Sequence, residues 1–113
     1  MPNVIDPTAF ENLKAMTGPD FIGEMIATFL DDAPKLFEQL RTALAASDAD
    51  SFRRAAHSLK SNAATFGAGE LARLAKELEM VGRENKLGEV GDRLIVLEAA
   101  YETAAQELKG MSA

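Results

Sequence analysis

Apolar residues recur along most of this chain at alternating steps of three and four, the spacing that places side chains on one face of an α-helix. Four such series follow one another. They are Ile22, Met25, Ile26, Phe29, Leu30, Ala33, Leu36, Phe37, Leu40 and Leu44; Phe52, Ala56, Leu59, Ala63 and Phe66; Leu71, Leu74, Leu78 and Val81; and Val90, Leu94, Leu97, Tyr101, Ala104 and Leu108. No segment shows the period-two alternation of a strand. The pattern therefore predicts four long amphipathic helices.

Residues that begin and end helices stand between these series. The pair Asp6-Pro7 predicts the start of a short N-terminal helix, which ends at Gly18-Pro19. Ser47 and Asp48 are both suited to cap the third helix, the one that carries Phe52. The sequence thus predicts one short helix before the four long ones.

Glycine and proline mark the remaining features. Gly67 and Gly69 separate the third and fourth helices, and Gly82 with residues 85–88 marks the last turn. Pro34 predicts a kink or short break in a helix that otherwise continues. Short connections favour antiparallel neighbours, so we predict one all-α domain over residues 1–113: an antiparallel four-helix bundle with a short additional N-terminal helix.

Composition excludes several classes of function. The chain has no cysteine and one histidine among 113 residues, so a cysteine-based metal site is excluded and no metal site is predicted. Its net charge of −6 has the wrong sign for a partner of nucleic acid or of an anionic membrane. The chain shows neither a signal-peptide pattern nor an apolar run of about 18 residues, so we expect a soluble, cytoplasmic protein.

The single histidine, His57, is the natural candidate for nucleophilic or acid–base chemistry, because histidine is the side chain that ordinarily titrates near neutrality. On a helical wheel it lies about 140° from Phe52, which marks the core side, so it should face water. Arg53 and Lys60 lie one turn on either side of it, and Ser61 and Ala64 on the same outward face are small.

A basic patch surrounds this histidine in the sequence. The segment Ser51 to Gly69 carries Arg53, Arg54 and Lys60 and no acidic residue, which suits a phosphoryl group or an acidic partner. The alternative is an ordinary solvated helix face with an incidental histidine. Carboxylates one or two residues apart, such as Glu77 with Glu79 or Asp31 with Asp32, point to different sides of a helix, and we assign them to the surface.

The run from His57 to Ala68 reads His-Ser-Leu-Lys-Ser-Asn-Ala-Ala-Thr-Phe-Gly-Ala, and Leu71, Leu74, Leu78 and Glu79 follow it. This run resembles the signature of histidine-containing phosphotransfer (HPt) domains, in which His-x-Leu-Lys-Gly precedes a glycine ten residues after the histidine and leucines at helical spacing. The order of a short helix, a long helix with Asp-Ala-Pro near its middle and the Ser-Asp-Ala-Asp stretch is similar too, so the resemblance spans nearly the whole chain.

The resemblance implies a phosphorelay intermediate rather than an enzyme with its own ATP-binding or kinase domain. His57 would accept a phosphoryl group from an aspartate of one receiver domain and pass it to another, and Lys60 would stabilise the phosphoryl charge. Receiver domains of response regulators and hybrid histidine kinases would be the partners of a monomeric chain. They would supply Mg²⁺, so that this chain needs no cofactor. The receiver-binding surface would comprise Arg53, Arg54, Ser61, Ala64 and Ala68.

The sequence departs from the family pattern at Ser61, where the family usually has glycine, and at Asn62, where it usually has serine or alanine. Two alternatives stay open. One is the dimerisation and phosphoacceptor domain of a histidine kinase, although that class usually has an acidic residue directly after its histidine and Ser58 stands there. The other is a noncatalytic helical adaptor in which His57 has no role.

Overall fold

The computed structural model describes residues 5–112, which form five α-helices, one 3-10 turn and no strand. The helices are α1 (Pro7–Thr17), α2 (Pro19–Ala45), α3 (Ala49–Thr65), α4 (Gly69–Arg83) and α5 (Arg93–Ser112), and the 3-10 turn is Leu87–Glu89. The prediction of an all-α chain with one short and four long helices is confirmed.

Side-chain caps fix the starts of two helices. The Asp6 carboxylate accepts hydrogen bonds from the backbone N–H groups of Thr8 and Ala9, at 3.0 and 3.4 Å. The Asp48 carboxylate likewise accepts from the N–H of Ser51 at 3.1 Å and begins α3. Both caps satisfy donors that a helix start otherwise leaves unpaired.

Gly67 makes the turn between α3 and α4. Its φ of +76° is favourable only for glycine, and a Cβ atom there would lie 2.9 Å from the Cβ of Ala9. The Gly67 carbonyl accepts a hydrogen bond of 2.9 Å from the backbone N–H of Asp6. The segment before α1 is thereby bound to the turn that follows α3.

α2 continues through Pro34 as one helix, as predicted, and Pro34 is exposed. The structure differs from the predicted helix boundaries at two positions. Gly82 belongs to α4 and is buried against α3, so it does not form the last turn. Val90 precedes α5: it is buried after the 3-10 turn and accepts a hydrogen bond of 2.9 Å from the N–H of Arg93.

The core lies among the four long helices. α3 packs against α2 on one side and α4 on the other, α5 packs against α4 and α2, and α1 packs against α2. Aromatic rings of α2, α5 and the turn after α3 meet in this core, with Phe29 5.4 Å from Phe66 and 5.8 Å from Tyr101 between ring centroids. In residues 5–112, no helix has the length and apolar character needed to span a bilayer.

Candidate functional site

His57 lies on the flank of α3 that faces α4. Its side chain is 54% exposed, as the helical wheel predicted for an outward position. Its Nδ1 atom is 2.7 Å from Oε2 of Glu79, on α4. The histidine is therefore both accessible to solvent and held in a defined orientation.

Glu79 is the centre of the site. Its side chain is only 4% exposed, and Oε1 lies 2.6 Å from Nζ of Lys60 while Oε2 bonds to His57. Arg83, one turn further along α4, places Nη2 3.7 Å from Oε2. The assignment of Glu79 to the surface is wrong, because α3 covers it; Glu77, two residues earlier, is exposed as expected.

The Glu79 carboxyl is ionised in this environment. Burial by itself raises its pKa, but the hydrogen bonds from Lys60 and His57 and the charge of Lys60 outweigh burial, so the pKa lies below its ordinary value. The charge of Lys60 and the hydrogen bonds from Lys60 and His57 thus satisfy a carboxylate that would be costly to bury alone.

The charge of Glu79 determines which nitrogen of His57 carries the proton. A carboxylate only accepts hydrogen bonds, so Nδ1 is the donor. The neutral imidazole then has its lone pair on Nε2, the other ring nitrogen. Within the described part of the chain no protein group hydrogen-bonds to Nε2. The arrangement presents a nucleophilic nitrogen at the surface of α3.

The basic residues around His57 are largely paired with carboxylates. Asp50, in the first turn of α3, binds Arg53 through Oδ1 at 3.0 Å and Arg54 through Oδ2 at 2.7 Å. Lys60 is bound to Glu79 and retains 29% exposure. The predicted basic patch is therefore weaker than its three cations imply, because Asp50 stands one residue outside the segment counted and Glu79 comes from another helix.

The small residues predicted to contact a partner divide into two groups. Ser61 and Ala64 are exposed on α3. Ala68 is fully buried, so its assignment to the binding surface is wrong. The helical wheel does not apply to Ala68, since α3 ends at Thr65 and the turn at Gly67 places Ala68 in the core at the start of α4.

Glu79 and Arg83 were not predicted to be members of the site. One signal was present: Ala75 and Gly82 stand about one turn before and after Glu79, and such small residues on one helix face permit close approach of a neighbouring helix. Residues 5–112 contain no group of three histidine or acidic side chains placed to bind a metal ion.

Comparison with known proteins identifies the family of this chain. The family model described as "Hpt domain" matches residues 24–112, which include α3 and α4. The fold is similar to the crystal structure of histidine-containing phosphotransfer protein B (HptB) from Pseudomonas aeruginosa PAO1, with a TM-score of 0.90 and 26% sequence identity over 98% of this chain and 95% of that chain. No curated protein is similar enough in sequence to be matched. The chain belongs to the Hpt domain family and is a histidine phosphotransfer protein of phosphorelays, a phosphocarrier that works with receiver domains.

Proposed function

We propose that His57 is the phosphoacceptor, which takes a phosphoryl group from an aspartyl phosphate of one receiver domain and passes it to an aspartate of another. The observation that carries this proposal is the 2.7 Å contact between Nδ1 of His57 and Glu79 Oε2. That contact leaves Nε2 as the free nucleophile on a half-exposed ring. The alternative of an adaptor with an incidental histidine gives no reason for a buried carboxylate to bind the imidazole.

Transfer onto His57 is an in-line displacement at phosphorus. The Nε2 lone pair forms the new N–P bond while the bond between phosphorus and the aspartate oxygen breaks, and the aspartate leaves as a carboxylate. The Nδ1 proton stays on the ring beside Glu79, which stabilises the positive charge that the ring gains. Discharge to the second receiver is the reverse of these steps.

Two cations stand close enough to the site to act on the phosphoryl group. Lys60 is already bound to Glu79, and its partial exposure gives its ammonium group access to phosphoryl oxygens near the ring. Arg83 is more exposed and lies on the other side of the same carboxylate. We assign charge stabilisation to Lys60 first and to Arg83 as a second group, since guanidinium binds phosphate oxygens well.

The receiver would approach across the exposed face of α3 that carries Ser61 and Ala64, with Arg53 and Arg54 at its edge. Small side chains there permit close approach to His57, and cations favour the carboxylate-rich active site that the family resemblance implies for receivers. Mg²⁺ would be bound by the receiver, and we assign no cofactor to this chain.

We infer that α2 to α5 form an antiparallel four-helix bundle with α1 as an additional short helix, since consecutive long helices have short connections and enclose one core. Residues 1–113 would then be one domain that acts as a monomer in the cytoplasm. It would have no ATP-binding or kinase domain of its own.

The test is phosphorylation by purified receivers. We expect the wild-type protein to gain an acid-labile phosphate when mixed with phosphorylated receivers, and His57→Gln to gain none while keeping its fold, because a half-exposed side chain contributes little to the core. Intact-protein mass spectrometry at neutral pH measures the phosphate, and circular dichroism checks the fold. A wild-type protein that no receiver phosphorylates, or a His57→Gln variant that still gains the phosphate, contradicts the proposal.

A further inference from the structure

The backbones of α3 and α4 approach closely at Gly82. A Cβ atom placed on Gly82 would lie 3.0 Å from each of Cα, Cβ and N of Arg53. Two of these three atoms are backbone atoms, which cannot rotate away as the end of a side chain can. Any residue other than glycine at position 82 would therefore require the two helices to move apart.

This close approach lies next to the candidate site. Gly82 follows Glu79 by three residues, and Arg53 precedes His57 by four, so each is one helical turn from its site residue and on the same side of its helix. The two contacts, Gly82 with Arg53 and Glu79 with His57, thus follow one another along a single helix–helix interface.

Both carboxylate oxygens of Glu79 are bonded to α3. Its two oxygens bond to groups on the neighbouring helix at 2.7 Å and 2.6 Å, one to His57 and the other to Lys60. A displacement of α4 away from α3 would lengthen and weaken both bonds. Glycine is otherwise unfavourable within a helix, and at Gly82, unlike Gly23 of α2, the absence of a Cβ atom permits a close contact with the neighbouring helix.

We propose that Gly82 is a positioning residue for phosphotransfer: by permitting the close approach of α4 to Arg53 it places the Glu79 carboxylate within hydrogen-bonding distance of His57 Nδ1. The effect on transfer rests on the proposed function of His57. The effect on the state of the imidazole does not, and it can be measured without any receiver.

The experiment compares Gly82→Ala with Gly23→Ala. Gly23 lies inside α2, and a Cβ atom added there meets nothing within 4 Å, so this control has the same chemical change without the close contact. Nitrogen-15 NMR of the His57 ring at neutral pH reports which nitrogen is protonated. We expect Gly82→Ala to change the ring from protonation at Nδ1 towards a mixture of tautomers and to slow phosphotransfer about tenfold. Gly23→Ala should change neither.

A folded Gly82→Ala protein with wild-type ring shifts and a wild-type transfer rate would overturn the proposal. If Gly82→Ala does not fold, Glu79→Asp tests whether the His57 tautomer depends on the distance to the carboxylate. This variant withdraws the carboxylate by one methylene, while Gly82 keeps the spacing of the two helices. Loss of the Nδ1–H signature in Glu79→Asp supports the proposal, and its retention overturns it. If the wild type accepts no phosphate, the proposed function fails, and the ring shifts alone still decide whether Gly82 positions Glu79.

Discussion

The Glu79 carboxylate combines two tasks that a single neutral side chain does not perform. It fixes the proton of His57 on Nδ1, and its negative charge, maintained by Lys60, would stabilise the positive charge of the ring in the proposed phosphohistidine. The pKa of the carboxyl lies below its ordinary value in spite of burial, so both effects operate at neutral pH. At the scale of single residues, the reactivity of His57 therefore depends on a residue of another helix.

Replacing Glu79 by glutamine separates hydrogen bonding from charge. The amide oxygen can still accept a hydrogen bond from Nδ1, but the amide has no charge, and if it turns over, its NH₂ group stabilises the wrong tautomer. We expect Glu79→Gln to slow transfer to His57 by about 10- to 100-fold, the range seen when the hydrogen-bond partner of a metal-ligating histidine is removed. Rapid-quench kinetics with one phosphorylated receiver measures the rate.

Glu77→Gln is the matched control for this prediction. Glu77 lies on the same helix, is exposed and pairs with Arg73, so its replacement makes the same change in net charge away from the imidazole. Its transfer rate should equal that of the wild type. Equal rates in Glu79→Gln and Glu77→Gln would show that the carboxylate has no part in the reaction.

At the scale of the element, the start of α3 contains one carboxylate that caps the helix and another that pairs with two arginines. Asp48 caps the helix, and Asp50 binds both Arg53 and Arg54. The two guanidinium groups hold the pKa of Asp50 below its ordinary value, chiefly through the hydrogen bond from Arg53. A carboxylate in this turn also interacts favourably with the positive end of the helix dipole. Asp50 therefore offsets part of the positive charge that the two arginines present to a partner.

Asp50→Asn should release both arginines. We expect faster association with an acidic receiver surface at low ionic strength, by a few-fold, and a difference that decreases as salt is added. Stopped-flow association rates at several salt concentrations measure it, with Glu102→Gln on α5 as a control of equal charge change. A rate increase equal in the two variants would assign the effect to net charge alone, and no increase would place the docking surface away from these arginines.

The sequence predicts the helices more completely than it predicts the contacts of the site. Helical spacing and the caps at Asp6 and Asp48 locate all five helices because these signals are local to each element. A helical wheel also placed His57 outward. It cannot locate the partner of Glu79, because that contact depends on how closely α4 approaches α3, which the backbone at Gly82 and Arg53 determines. The assignment of Ala68 to the binding surface came from the family resemblance, and its burial depends on the turn after α3, which a pattern local to α3 does not contain.

For the whole molecule, the ionised site makes stability depend on pH. The pKa of Glu79 in the folded protein lies below its ordinary value of 4.5, which applies to the unfolded chain. Between these two values the unfolded state binds more protons, so stability falls as the pH falls. The pKa values of Asp48, Asp50 and Glu70 are lowered by their own hydrogen bonds and act in the same direction. The contribution of Glu79 is thus complete above pH 4.5 and is lost as the pH falls through its folded-state value.

Comparison of the wild type with Glu79→Gln isolates this contribution, because the other carboxyls are common to both. We expect Glu79→Gln to lower the free energy of unfolding by about 1–2 kcal/mol near pH 5, less than the cost of breaking a fully buried ion pair, since His57 and Lys60 are partly exposed. The difference should then diminish as the pH is lowered from 5 to 3, because below pH 4.5 the unfolded wild-type chain binds a proton at Glu79 more readily than the folded protein does, while Lys60 stays charged. Urea unfolding at each pH measures it. A difference that stays constant or grows over this interval would mean that Glu79 is not an ionised partner of Lys60 and His57 in the folded protein.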